Sequence, residues 1–162
     1  MMLETNEIVF NEEELREIEK IKSKYPQTQA ALMPVLWKAQ EKFGWISEDV
    51  MQYIAELLQL PMAHVQGVAS FYTMYHKKPA GRYHVQVCTN VSCLINGGDN
   101  LLNHACEKLG IPEGDVTSDG KFSLEEVECM GACGGAPMFA VNEDFYESSD
   151  ICKFGNIIDS LQ

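Results

Sequence analysis

Tyr83-His84-Val85-Gln86-Val87-Cys88-Thr89-Asn90-Val91-Ser92-Cys93 is where the chain changes character. Tyr83, Val85 and Val87 alternate with polar residues, the period of a half-buried strand, and that strand ends on a cysteine. Upstream of Pro79-Ala80-Gly81 the pattern is helical. Downstream, strands and helices alternate, and all 6 cysteines lie there.

Continuing downstream, Gly98-Asp99 opens a predicted helix that runs to Leu109, with Gly110 as its stop and Pro112 beyond. Leu124 to Cys129 and Pro137 to Val141 read as further strands. Asn142-Glu143-Asp144 reads as a hairpin turn, with Phe145-Tyr146 starting the return strand. A last helix from about Ser149 carries Ile151, Phe154, Ile158 and Leu161 at helical spacing. Strand, helix, strands and helix make a small α/β sandwich over residues 81–162.

Residues 1–80 read as a small helical bundle. Asn11 can cap a helix that begins Glu12-Glu13-Glu14, with Glu14 placed to reach back to the cap. Leu15, Ile18, Ile21 and Tyr25 share a face, and Pro26 ends the helix. A second helix is expected from Thr28 to Phe43, with Leu32, Leu36, Ala39 and Phe43 inward and Gly44 as its stop. Pro34 fits that helix only if its regular part begins near Ala31 or kinks there. Ser47 caps a third, Glu48 to Gln59, and Pro61 stands in the first turn of a fourth that reaches about Met74. The fold class is therefore α+β, a helical bundle followed by an α/β domain.

Composition narrows the function. The 162 residues are 46% hydrophobic and 22% charged, ordinary for a globular protein. The net charge of −12, from 24 acidic and 12 basic residues, argues against nucleic acid and anionic membranes, which need clustered Lys and Arg. Lys77-Lys78 is too small a cluster to count. Glu4, Glu7 and Glu12 to Glu14 stand where an export signal needs positive charge and an apolar run. No apolar run approaches the ~18 residues of a membrane span. A soluble cytoplasmic protein without direct membrane insertion is expected, and in that reducing compartment cysteines serve as ligands or redox groups more often than as disulfides.

Four of those cysteines form Cys88-x4-Cys93, a gap of 35 residues, then Cys129-x3-Cys133. Each pair follows directly on a predicted strand. If the two strands are neighbours, both loops leave the same edge of the sheet and four thiolates converge. An iron–sulfur cluster asks for such a set, two thiolates to each of two irons. Gly131, Gly134 and Gly135 would let backbone N–H groups approach sulfur. Spacing alone leaves other readings open. Structural zinc takes four cysteines, though usually as C-x2-C knuckles; a dithiol redox site would show C-x-x-C; and four packed core cysteines are the plainest alternative.

The flanking residues carry a resemblance. Asp119-Gly-Lys-Phe122-Ser123, then five residues, then Cys129-Met-Gly131-Ala-Cys133-Gly-Gly-Ala136-Pro137, resembles the signature of the E subunit of NADH:quinone oxidoreductase (respiratory complex I), a family of thioredoxin-like [2Fe–2S] ferredoxins. Cys88-Thr-Asn-Val-Ser-Cys93 matches it in spacing. Ala31-Leu-Met-Pro34-Val-Leu and Gly67-Val-Ala-Ser-Phe71-Tyr72-Thr-Met-Tyr resemble the family's helical N-terminal part, which makes Pro34 a family feature. The resemblance implies a thioredoxin-like fold for residues 81–162. It also implies one [2Fe–2S] cluster, with Cys88 and Cys93 on one iron and Cys129 and Cys133 on the other. The implied partner is a flavin subunit that carries FMN and binds NAD(H), in a complex on the cytoplasmic face of the inner membrane. Relatives in NAD-linked or electron-bifurcating hydrogenases and formate dehydrogenases would serve equivalently. A zinc-stabilised interaction module is the alternative of another class.

The remaining residues of interest have plainer expectations. Cys106 and Cys152 are expected in the core, as small hydrophobes. His64, His76, His84 and His104 are scattered and no ligand set needs them. Phe71, Tyr72 and Tyr75 could meet a partner or pack the bundle against the α/β domain, and the second is expected. Glu125, Glu126 and Glu128 read as a solvated strand face, and negative charge there disfavours adding an electron to a nearby cluster. Replacing Glu126 and Glu128 by Gln should raise the midpoint potential in a redox titration; an unchanged potential would refute that electrostatic role. The sequence has no G-x-G-x-x-G after a strand and no Walker motif, so this chain cradles no nucleotide and should not oxidise NADH alone.

Overall fold

The computed structural model describes residues 8–161. Glu4 and Glu7, used above in reading the N-terminus, lie outside them, as does Gln162. The described chain divides into two compact units, residues 8–79 and 80–161.

The first unit is helical. Helix α1 spans Glu12–Lys22, and both halves of the capping box form, Glu14 N–H donating to Asn11 Oδ1 (2.9 Å) and Asn11 N–H to Glu14 Oε2 (2.6 Å). The helix stops at Lys22, before Pro26, so Tyr25 lies beyond it and is exposed. The expected second helix is a 3₁₀ turn, Thr28–Ala31, followed by α2, Leu32–Phe43. Pro34 thus falls in the first turn of α2, where no intrahelical donor is required of it. Gly44 closes α2 at φ +82°, in the left-handed region. Helix α3 spans Glu48–Leu58, capped by Ser47 Oγ, which accepts from Val50 N–H at 3.1 Å.

Helix α4 spans Met62–Phe71, three residues shorter than expected at its end, and Pro61 is its cap rather than its first residue. Ile18, Leu32, Leu36, Ala39, Ile54 and Val65 meet in the core of this unit. Tyr75 joins them fully buried, its hydroxyl donating to the Met33 carbonyl (2.8 Å), while Phe71 is exposed.

The second unit is a four-stranded sheet in the order β2-β1-β3-β4 with helices on one face. The strands are β1 (Tyr83–Cys88), β2 (Phe122–Val127), β3 (Phe139–Val141) and β4 (Asp144–Tyr146). Strands β1 and β2 are parallel, from Tyr83 opposite Phe122 to Cys88 opposite Val127. A parallel pair needs a crossover, and a helix over Gly98–Leu109 (α6, the second of two in that connection) supplies it. Strand β3 runs antiparallel to β1, and β3 and β4 form a hairpin across Asn142 and Glu143, Asn142 taking φ +55°. Helix α7, Ile151–Ser160, is capped by Asp150.

Alternation decides what each face carries. Val85, Val87, Phe122, Leu124, Phe139 and Val141 face Leu101 and Ala105 of α6 and Phe154 and Ile158 of α7. The opposite face carries a polar ladder, with His84 Nδ1 2.8 Å from Ser123 Oγ and Nε2 2.9 Å from Glu125 Oε2. Among the described residues no helix is long and apolar enough to cross a membrane.

Candidate metal centre

Parallel pairing puts the C-terminal ends of β1 and β2 side by side, and both cysteine pairs start there. Cys88 is the last residue of β1, and Cys129 comes two residues after the end of β2. Thr89 N–H donates to the Val127 carbonyl (3.2 Å), which ties the two exits together.

Sequence periodicity misses one element here. Residues after Cys88 form a short helix, α5 (Val91–Ile95), whose N-cap Asn90 accepts from Val91 N–H (2.8 Å). Cys93 therefore lies on a helical turn, not in an irregular loop. Five residues are too few to show a helical period, so only the Asn90 cap could have announced it.

Behind α5, a turn at Gly97 (φ +97°) leads into α6. A Cβ added at Gly98 would stand 2.8 Å from the Cys88 carbonyl oxygen and 2.9 Å from the Cys93 carbonyl carbon. Both are backbone atoms and cannot turn aside. Gly98→Ala should therefore destabilise the metal-free chain by about 1–3 kcal/mol in urea unfolding. An unchanged midpoint would mean that this close approach is dispensable.

Cys88 and Cys93 are buried, whereas Cys129 and Cys133 are exposed. The two groups meet through their neighbours: Met130, Ala132 and Ala136 of the second loop pack on Cys88, Cys93 and Met138. Burial pushes the Cys93 thiol up to about 11, helped by a hydrogen bond with the Cys88 thiol and by the charges of Cys88 and Cys133; a hydrogen bond from the Met138 backbone works the other way. A bound cation would relieve that penalty by taking the proton's place. Cys129 Sγ accepts from Gly131 N–H at 3.4 Å, and Gly131 takes φ +76° to present it.

The structure thus sets Cys93 beside Cys88 and within electrostatic reach of Cys133, while the Cys129 sulfur is engaged inside its own loop. Among the described residues no three His, Cys, Asp or Glu side chains gather around one point. The donor set is all thiol, with peptide N–H groups aimed at two of the sulfurs, the chemistry that suits an iron–sulfur cluster.

The other cysteines stand apart. Cys106 is half-buried against the α6–α7 core, near its expectation. Cys152 is exposed, and its expected place in the core is wrong. Phe154 and Ile158 point α7 inward, and Cys152, two residues before Phe154, falls on the opposite side of the helix; Ile151 keeps their register but is exposed as the first residue of the helix. His84 pairs within the sheet. Glu126 lies closer to the site than a solvated face suggests, because its Oε1 accepts from Thr89 Oγ1 (2.5 Å), next to Cys88.

Known proteins resemble this chain over most of its length. The E subunit of NADH-quinone oxidoreductase from Rickettsia bellii is 41% identical over 156 residues, 94% of this chain and 93% of the relative. The E 2 subunit of NADH-quinone oxidoreductase from Rhizobium meliloti is 38% identical over 146 residues, 90% and 87% of the two chains. Among solved structures, an NAD+-reducing [NiFe]-hydrogenase in its air-oxidised state superposes with a TM-score of 0.70 at 23% identity. The match covers 81% of this chain but 22% of the hydrogenase chain, a likeness of fold. The family model for thioredoxin-like [2Fe–2S] ferredoxins matches residues 18–162, and with it the two cysteine pairs at the ends of paired strands acquire a family: this chain is a thioredoxin-like [2Fe–2S] ferredoxin.

Proposed function

We propose that this chain is the electron-transfer subunit of an NADH:quinone oxidoreductase-type complex, with one [2Fe–2S] cluster on Cys88, Cys93, Cys129 and Cys133. The observation that carries the reading is the parallel pairing of β1 with β2, which places Cys88 opposite Val127 and launches both ligand loops from one edge. When bound, such a cluster accepts and releases one electron at a time.

The chain's own residues hold and tune it. Cys88 and Cys93 would grip one iron from the buried side, and Cys129 and Cys133 the other from the exposed loop. Gly131 N–H and the Met138 backbone stabilise negative charge on sulfur. Met130, Ala132, Ala136 and Met138 exclude water from the inner pair. Exposure of the outer pair leaves a short path for an electron to a partner.

FMN and NAD(H) belong to that partner, a flavin-binding, NADH-oxidising subunit, and the work is done in the cytoplasm. Residues 1–80 and 81–162 act as two domains, the first a bundle and the second the carrier. The test is spectroscopic. NADH added to the purified chain should leave its visible absorption unchanged, and the same addition with the flavin subunit present should bleach it. Bleaching by NADH alone, or none with the flavin subunit bound, would contradict the assignment.

A further inference from the structure

Helix α5 is turned inside out. Its inward side chain is Cys93, which is buried, and its outward ones are apolar: Val91 is 62% exposed, Leu94 48% and Ile95 78%. Val91 and Ile95 are four residues apart and Val91 and Leu94 three, so the three form one patch. Such a patch costs free energy in water and marks a surface made to be covered. It lies on the helix that carries one expected iron ligand, Cys93, against which Met130 and Ala132 of the Cys129–Gly134 loop pack.

Charge around the patch is one-sided. Residues 80–162 hold 13 acidic and 4 basic side chains. Arg82 and Lys121 precede the starts of β1 and β2, and Lys108 in the last turn of α6 pairs with Asp159 (2.8 Å) near the end of α7. Since β1 and β2 are parallel, these three cations stand at the end of the unit away from the cysteines. The fourth, Lys153, donates to the Glu147 carbonyl.

Of the exposed acids, Asp99, Glu113, Glu126, Glu128 and Glu147 stand at the cysteine end, where those three cations do not. Asp99 is in the first turn of α6, where Gly98 abuts the Cys88 and Cys93 backbone. Glu126 holds Thr89, and the Glu113 carboxyl lies beside that of Glu126, which raises its proton affinity. Glu128 precedes Cys129, and Glu147 lies against Gly135. An apolar centre with an acidic rim complements an apolar surface edged by Lys and Arg.

We infer that Val91, Leu94 and Ile95 form the centre of the docking surface for the redox partner, and that the partner meets it with an apolar patch rimmed by basic residues. This rests on the proposed electron-transfer role and adds to it where and how the partner binds. Covering α5 brings the partner against the ligand-bearing helix and the exposed loop, and it removes water from the exit of the electron.

The test uses the full iron-loaded chain titrated calorimetrically with the flavin-binding subunit. The probes are wild type, Val91→Asp/Ile95→Asp, and Glu126→Lys/Glu128→Lys. Wild type should bind, more weakly as sodium chloride rises from about 50 to about 500 mM. The Val91/Ile95 variant should bind at least about tenfold more weakly, with its iron content and visible spectrum unchanged. The Glu126/Glu128 variant should bind more weakly and lose most of the salt dependence. If wild type binds and the Val91/Ile95 variant binds equally well, the docking inference alone is overturned. If wild type does not bind at all, the electron-transfer assignment falls with it.

Discussion

Cys93→Ala is expected to leave the purified chain colourless, with iron falling from about two atoms per chain to none. The residue is 2% exposed, on α5 and beside Cys88. Alanine removes a thiolate, and among the described residues no other side chain stands ready to replace it. Cys106 is half-buried on α6, and Cys152 is exposed on α7, away from the loops. The His84 ring is committed to Ser123 and Glu125. One iron would keep a single protein ligand, and a cluster so held is lost. The fold should persist, because alanine suits a small buried position on a helix. Far-UV circular dichroism near that of wild type, alongside the missing iron, would separate loss of a ligand from loss of structure. Cys152→Ala is the matched control and should retain full iron. Full iron in the Cys93 variant would remove that residue from the ligand set.

The second large effect is on stability. Phe139→Ala should lower the unfolding free energy of the second unit by about 3–5 kcal/mol, a large share of the ~5–15 kcal/mol available to a domain. Phe139 is fully buried on β3, stacked on Tyr146 at 5.0 Å between centroids and meeting Phe154 edge-on at 4.8 Å. It pairs across the sheet with Val87, the residue before Cys88. Truncation opens a cavity beneath the strand that carries the first ligand, and Phe154 of α7 loses its edge-on partner. Urea unfolding of the metal-free chain should show the midpoint fall with little change in slope. A loss under about 1 kcal/mol would mean that α7 is held mainly by other contacts.

Much of this is legible in particular residues. The alternation of Tyr83, Val85 and Val87 marks β1 with its end at Cys88, and Gly98 to Leu109 bounds α6, because strong periodicity and glycine stops are local signals. Asn11 and Glu14 announce their capping box for the same reason. What depends on distant partners is less legible. The neighbouring of β1 and β2 is only a condition in the sequence, since pairing joins strands that 33 residues separate, from Thr89 to Lys121. Helix α5 escapes because its exposed Val91, Leu94 and Ile95 mimic a buried run. Cys152 is misplaced because being next to Ile151 in sequence does not put it on the inward face, which Phe154 and Ile158 define about half a turn away. Tyr75, grouped with Phe71 and Tyr72, proves to be core, which its hydroxyl permits only because the Met33 carbonyl is in reach.

Iron, sulfide and spin counted on the chain purified without oxygen probe the cluster itself. About two irons and two sulfides per chain are expected, with a reddish-brown colour that fades with dithionite and one unpaired electron per chain in the reduced-state EPR spectrum. A colourless protein with stoichiometric zinc and no EPR signal after reduction would refute the cluster and leave the four cysteines as a structural zinc site.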